Sequence, residues 1–185
     1  MQTQNRMRKL TGTAVLSALV IVFDYSLKFS NFKIPFPWMP VLKFDFTGIP
    51  IALSLFLYGL PAAATTSLVA LLGILARSGD VVGATMKALA ELSTVLGFSM
   101  VSSHTRTPKV LAFISGGILR VLIMSVANLV VLPAFYATPF NAALLLIPAN
   151  AIFNLLQGLV SMFGGLIIYE ALKRRIPSLM TTTRQ

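Results

Sequence analysis

The sequence predicts an all-α integral membrane protein with six transmembrane helices, both termini cytoplasmic and a long extracellular loop after the first helix. Three observations predict it. Residues are 56% hydrophobic and only 11% charged, against about half and about a quarter in a soluble domain, and the mean hydropathy is +0.84. The apolar residues fall in long runs, and a run of ~20 (roughly 17–25) is what crosses the hydrocarbon of a bilayer. The 15 Lys and Arg sit mainly at the ends of those runs, where basic residues set topology. For the same reason the net charge of +10 does not point to nucleic acid, which would need a basic polar face.

The elements follow in chain order. MQTQNRMRKL is a basic start that leads into helix 1, about Lys9 to Phe29. A signal peptide begins similarly, but no small-x-small cleavage site precedes Asp24, so a retained helix is expected. Helix 2 is expected from about Thr47 to Tyr58 and helix 3 from about Pro61 to Ala76. Between them Tyr58-Gly59-Leu60-Pro61 stops one helix and starts the next. One continuous helix is the rival reading and would give five spans. Helices 4, 5 and 6 are expected at about Val82–Ser102, Lys109–Leu132 and Ala143–Arg174. With the N-terminus inside, Arg6, Arg8, Lys9, Arg106, Lys109, Lys173, Arg174, Arg175 and Arg184 lie inside, and Lys28, Lys33, Lys43 and Arg77 outside. That bias favours six spans. No internal repeat is evident, so residues 1–185 read as one domain.

The longest connection, SNFKIPFPWMPVLKFDF from Ser30 to Phe46, is rich in Pro and aromatics. Phe32, Ile34, Phe36, Trp38, Met39, Val41 and Leu42 want burial or an interface. Two readings stand: an aromatic belt at the membrane surface, or a lid over an outward-facing pocket. At its end, VLKFDFTGIP places Asp45 or Thr47 to cap helix 2, with Pro50 in the first turn, where a missing N–H costs nothing. Lys43 is expected near outer water, and the main chain here, more than the charges, is expected to line a pocket.

Polar groups in hydrocarbon are costly unless partnered. Helix 6 carries Asn150, Asn154, Gln157 and Ser161, spaced so that all four share one face. They suit a neutral hydrogen-bonding ligand, or glue helices together. Helix 5 carries Arg120, Ser125 and Asn128; helix 4 carries Lys87 and Glu91, four apart; helix 1 carries Asp24 and Lys28, also four apart. Glu91 is placed to neutralise Arg120 across the bundle. Ala14 and Ala18, extended by Thr11, make a small-residue face on helix 1 for close helix packing, within the chain or against a partner.

Several chemistries lack their residues. There is no cysteine for disulfide or thiolate chemistry, and the lone His104 has no nearby second ligand. No G-x-x-x-x-G-K-[ST] loop is present, so the chain does not use ATP itself. No metal-ligand cluster and no Ser, His and acid set can be assembled. The expectation is a binder without cofactor or metal. An enzyme built on Lys87 and Glu91, and a structural subunit whose polar residues only hold helices together, are the readings from other classes.

Four stretches, in order along the chain, resemble the substrate-binding (S) components of energy-coupling factor (ECF) vitamin transporters, and among them the riboflavin-specific ones. They are the alanines at Ala14 and Ala18; WMPVLKFDFTGIPIALSLFLYGLPA from Trp38 to Ala62; SVANLVVLPAFY from Ser125 to Tyr136; and IFNLLQG from Ile152 to Gly158. The resemblance implies a multi-pass protein of the cell membrane with loop 1 folded over an outward-facing vitamin site. It implies that Ala14 and Ala18 face a transmembrane coupling subunit, which carries two ATPase subunits, and that the S component topples in the membrane when docked. It implies riboflavin, or its phosphate FMN, as transported ligand among loop 1 and helices 4 to 6. On this reading Trp38, Met39, Val41, Leu42, Lys43, Glu91, Arg120, Asn128, Asn150, Asn154 and Gln157 are the substrate-binding set. Asn128 and Asn154 match family asparagines that face the flavin. Gln157 stands where riboflavin-specific members commonly have a lysine, Glu91 stands near a family asparagine, and Arg120 lies outside the family pattern. Ser67, Ala70 and Leu71 replace a Glu and a Lys-Asn pair usual after the Gly-Pro break. Isoalloxazine carbonyls and N–H suit amide side chains, its faces suit Phe and Trp, and Arg120 suits the FMN phosphate. An S component for another small ring compound is the alternative within the family.

Overall fold

The computed structural model describes residues 2–30, 32–102 and 109–176. His104, Arg106 and Arg184 lie outside the described residues. Six helices and one hairpin follow in order: α1 (Gln2–Phe29), β1 (Ile34–Phe36), β2 (Met39–Phe44), α2 (Gly48–Tyr58), α3 (Leu60–Ser78), α4 (Val81–Ser102), α5 (Lys109–Tyr136) and α6 (Phe140–Arg175). The helices close a ring in which α1 packs on α3, α3 on α4, α4 on α5, α5 on α6, α6 on α2, and α2 back on α1 and α3.

α2 and α3 are separate helices and not one long one. Gly59 between them has φ 87° and ψ −177°, a conformation that glycine adopts at little cost. Thr66 Oγ1 lies 3.2 Å from Ser54 Oγ, twelve residues away; in one continuous helix those residues would be about 18 Å apart. The two therefore fold back on each other. α2 has 11 residues, about 16 Å, half of the ~30 Å hydrocarbon layer. The expectation of six spanning helices thus becomes, among the described residues, six helices of which five (α1 and α3 to α6) are long and apolar enough to cross a membrane.

α2 reads as uninterrupted apolar sequence because nearly all of it is core: Pro50, Ile51, Ala52, Leu53, Ser54, Leu55 and Leu57 are buried. Ile51, Ala52 and Leu55 pack with Val20, Ala63, Ala70, Val95, Phe98, Ala112 and Met162. The longer helices keep exposed apolar stripes, such as Leu68 and Leu72 on α3 and Ile118, Leu122, Val126 and Val130 on α5, as lipid-facing surfaces do. α1 turns Thr13, Leu16, Ser17, Val20 and Asp24 inward, a helical repeat of one face. Ala14 and Ala18 lie on the opposite, exposed face.

The boundaries shift for local reasons. α5 runs past Leu132, where it was expected to stop, through Pro133 to Tyr136; Pro133 removes one backbone N–H, and the helix ends within a turn of it. The loop between α1 and α2 holds a β-hairpin that went unread. Its strands pair antiparallel, Ile34 with Phe44 and Pro35 with Lys43, with an irregularity before Phe36. Pro35 and Pro40 hid it, since proline argues against a central strand; in a two-stranded hairpin every strand is an edge, where proline is tolerated.

Candidate functional site

The hairpin brings its chain end into the bundle. Of its apolar residues only Phe36 is fully buried; Trp38 and Val41 are exposed and Met39 and Leu42 half-buried. Phe36 meets Trp38 and Phe44 edge-on at 5.3 and 5.8 Å between ring centroids. Phe36 and Phe44 both pack on Phe153 of α6, at 5.5 and 5.0 Å. One aromatic face of the hairpin thus covers α6 and the other is exposed. Lys43 is exposed at the rim.

Below the aromatic cluster, Gln157 of α6 clasps the main chain of Asp45. Its Nε2 donates to the Asp45 carbonyl at 2.8 Å, and the Asp45 N–H donates to its Oε1 at 3.2 Å. This satisfies both peptide groups of a non-helical residue that is buried away from water. The Asp45 carboxylate also accepts from the N–H and hydroxyl of Thr47, at 3.2 and 2.7 Å. It caps the turn into α2; the Thr47 side chain makes no cap bond to the helix. Gly48 follows with no room for a side chain, since a Cβ there would collide with Ser161 Oγ and meet Glu91 Oε2 at 2.7 Å.

From Asp45 a column of alternating charge runs across the bundle. Lys87 Nζ lies 2.7 Å from Asp45 Oδ1 and 3.1 Å from Glu91 Oε1. Glu91 Oε1 lies 3.2 Å from Arg120 NH1, the cross-bundle pairing expected. Arg120 is 1% exposed. Its NH1 also reaches Thr94 Oγ1 at 3.1 Å and the Ala90 carbonyl at 3.4 Å, and its Nε reaches Asn154 Oδ1 at 3.3 Å. Asn154 in turn donates to Asn150 Oδ1 at 2.6 Å and to its carbonyl at 3.0 Å. Two cations and two carboxylates balance, so the column is neutral. Burial pushes the Asp45 carboxyl up, but Lys87, Lys33 and the Thr47 hydrogen bond outweigh it and hold the pKa below the ordinary carboxylate value.

A second cluster lies at the hairpin end of the bundle. Asp24, buried near the end of α1, does not hold Lys28, the partner expected four residues on. It pairs with Lys33 at 2.9 Å and Arg77 at 2.5 Å. α1 packs on α3, which brings Arg77 to it, while Lys28 is exposed. A cleft of about 360 Å³ opens here, lined by Lys28, Lys33, Lys43, Arg77, Asp45 and Asp80 among others.

The structure thus unites Glu91, Arg120, Asn150, Asn154 and Gln157 in one buried network, and the four α6 polar residues share one buried face as their spacing predicted. It does not bring in Asn128, whose Nδ2 bonds its own helix at the Met124 carbonyl, 2.7 Å away. Phe36 was expected to seek burial; the charge of Asp45 and the rings of Phe44 and Phe153 are the members that sequence reasoning passed over. Asp45 is one of only five acidic residues, which was a signal; nothing in the sequence linked it to Lys87, 42 positions on.

No curated protein matches the chain in sequence. In structure it is similar to the S component of a bacterial ECF transporter, with a TM-score of 0.69 at 24% identity, covering 95% of this chain and 98% of that one. A family model for the ECF transporter substrate-specific component matches residues 8–174. With a multi-pass helical ring, an inserted hairpin and a family match over nearly its whole length, the chain belongs to the ECF transporter substrate-specific components.

Proposed function

We propose that this protein is the riboflavin-binding S component of an ATP-driven vitamin importer in the cell membrane. One observation carries the reading: the aromatic face of the hairpin, Phe36 and Phe44, lies on Phe153 directly beside the amide stripe Asn150, Asn154 and Gln157. A flat ring with a hydrogen-bonding edge suits that combination. The hairpin is the lid and faces outward. Ligand entry exchanges protein–protein bonds for ligand bonds, above all the two between Gln157 and Asp45. Trp38, Met39, Val41, Leu42 and Lys43 contribute from the hairpin and Asn128 from α5. Ala14 and Ala18, exposed on α1, dock a transmembrane coupling subunit that carries two ATPase subunits. The chain acts as binder and not as enzyme, and takes no cofactor.

The test is direct. Purified protein should be yellow from copurified riboflavin, and added riboflavin should lose fluorescence on binding. Colourless protein that does not quench riboflavin would overturn the flavin assignment. A second reading, an S component for another small ring compound, is favoured by Arg120 and Asn154, which already satisfy each other. A copurifying non-flavin identified by mass spectrometry would establish it.

A further inference from the structure

The cleft at the hairpin end shares Val41, Lys43 and Asp45 with the flavin reading, while Lys28, Lys33, Arg77 and Asp80 lie outside it. Its lining sets four cations, Lys28, Lys33, Lys43 and Arg77, against Asp45 and Asp80. Asp45 is paired with a cation outside this lining, whereas Asp80 keeps its negative charge, so the lining still carries an excess of positive charge. Asp45 holds Lys87, and Asp80 caps α4 by accepting the Gly83 N–H at 2.9 Å. The one further acid, the buried Asp24, is shared by Lys33 and Arg77, so one positive charge is left over while both side chains are fixed in place. Lys28 and Lys43 have no carboxylate partner among the described residues. By contrast Arg120, the cation first suited to a phosphate, is fully engaged inside the neutral column.

We propose that this cleft binds a phosphate ester, held by Lys28 and Lys43 with Arg77 and Lys33 positioned behind them. Ammonium groups contact phosphate as point charges, and an arginine already orientated by Asp24 adds directional donors. The volume of about 360 Å³ falls within the range of small-molecule sites. The phosphate could belong to a soluble solute or to a lipid headgroup, and the experiment separates the two.

Full-length protein in phosphatidylcholine nanodiscs is titrated calorimetrically with phenyl phosphate and with benzyl alcohol, which shares the ring but lacks the charge. Phenyl phosphate should bind roughly tenfold tighter or better, and its advantage should shrink between about 50 and about 500 mM salt. The Lys28→Glu variant, which leaves the proposed flavin-binding residues intact, should lose most of that advantage with an unchanged unfolding midpoint. No preference in the wild-type protein overturns the proposal whatever the variant does; so does a preference that survives in the folded variant. Repeating the titration with phosphatidylglycerol in the nanodisc assigns the source: competition identifies a lipid headgroup, and its absence a soluble phosphate ester. Riboflavin quenching is read separately, so failure of either reading leaves the other standing on its own result.

Discussion

The two charged regions of this molecule use the same residue types and reach opposite ends. In the deep column Asp45, Lys87, Glu91 and Arg120 alternate in sign and balance. At the hairpin end Asp24 is outnumbered by Lys33 and Arg77, and Lys28 and Lys43 add charge that Asp80 in the same cleft offsets only in part. The difference teaches that in a membrane protein depth decides how far charge must be balanced. An unpaired ion buried among helices costs several kcal/mol, whereas an ion at the bundle end keeps water for company.

The largest expected effect breaks the column. Arg120→Ala leaves Glu91 buried without its guanidinium and should destabilise by about 3–5 kcal/mol, read as a lowered unfolding midpoint in detergent. Arg120→Met combined with Glu91→Gln should recover part of that loss, and strictly additive effects of the two changes would contradict a direct pairing. Next comes the clasp. Gln157→Ala removes both bonds to the Asp45 main chain and should cost about 1–3 kcal/mol. It should also speed amide exchange across residues 39–47, and unchanged exchange there would show that the clasp does not hold the hairpin.

Asp45 offers a test by pH. Its folded pKa is depressed, so its stabilisation is present above the unfolded value of ~3.9 and is lost as pH falls through the lower folded value. The midpoint of wild-type protein should therefore drop further on acidification than that of Asp45→Asn, which starts lower at neutral pH. Asp24→Asn should have a smaller effect than Arg120→Ala, because the side chains of its partners Lys33 and Arg77 keep 18% and 12% exposure against 2% for Arg120. The smallest stability change is expected for Ala14→Leu and Ala18→Leu on the exposed face of α1, within about 0.5 kcal/mol. A reconstituted transporter should nonetheless lose uptake, and full uptake would remove the docking role.

Much of this was legible in the residues. The runs of apolar sequence located every helix, and the Gly59-Leu60-Pro61 break correctly divided α2 from α3. The four-residue steps from Asn150 to Asn154 and from Lys87 to Glu91 placed partners on one face, because helical geometry is periodic and local. The same rule failed for Asp24 and Lys28. Spacing permits an i,i+4 pair but does not choose between it and partners that packing brings closer, and Lys33 and Arg77 win. The hairpin was hidden because Pro35 and Pro40 masked a strand pattern only a few residues long.

By itself the sequence determined the membrane class, the helix order, the division at Gly59 and which polar residues share an α6 face. All of these follow from hydrophobicity and from repeats within about a turn of chain. Only the tertiary structure decided that Asp45 meets Lys87, that Gln157 closes on the main chain of the hairpin, and that the remaining cations gather around one cleft. Those pairings join residues tens of positions apart. They are selected by the cost of leaving a charge or a peptide group unsatisfied in the bundle, which exists only once the helices have packed.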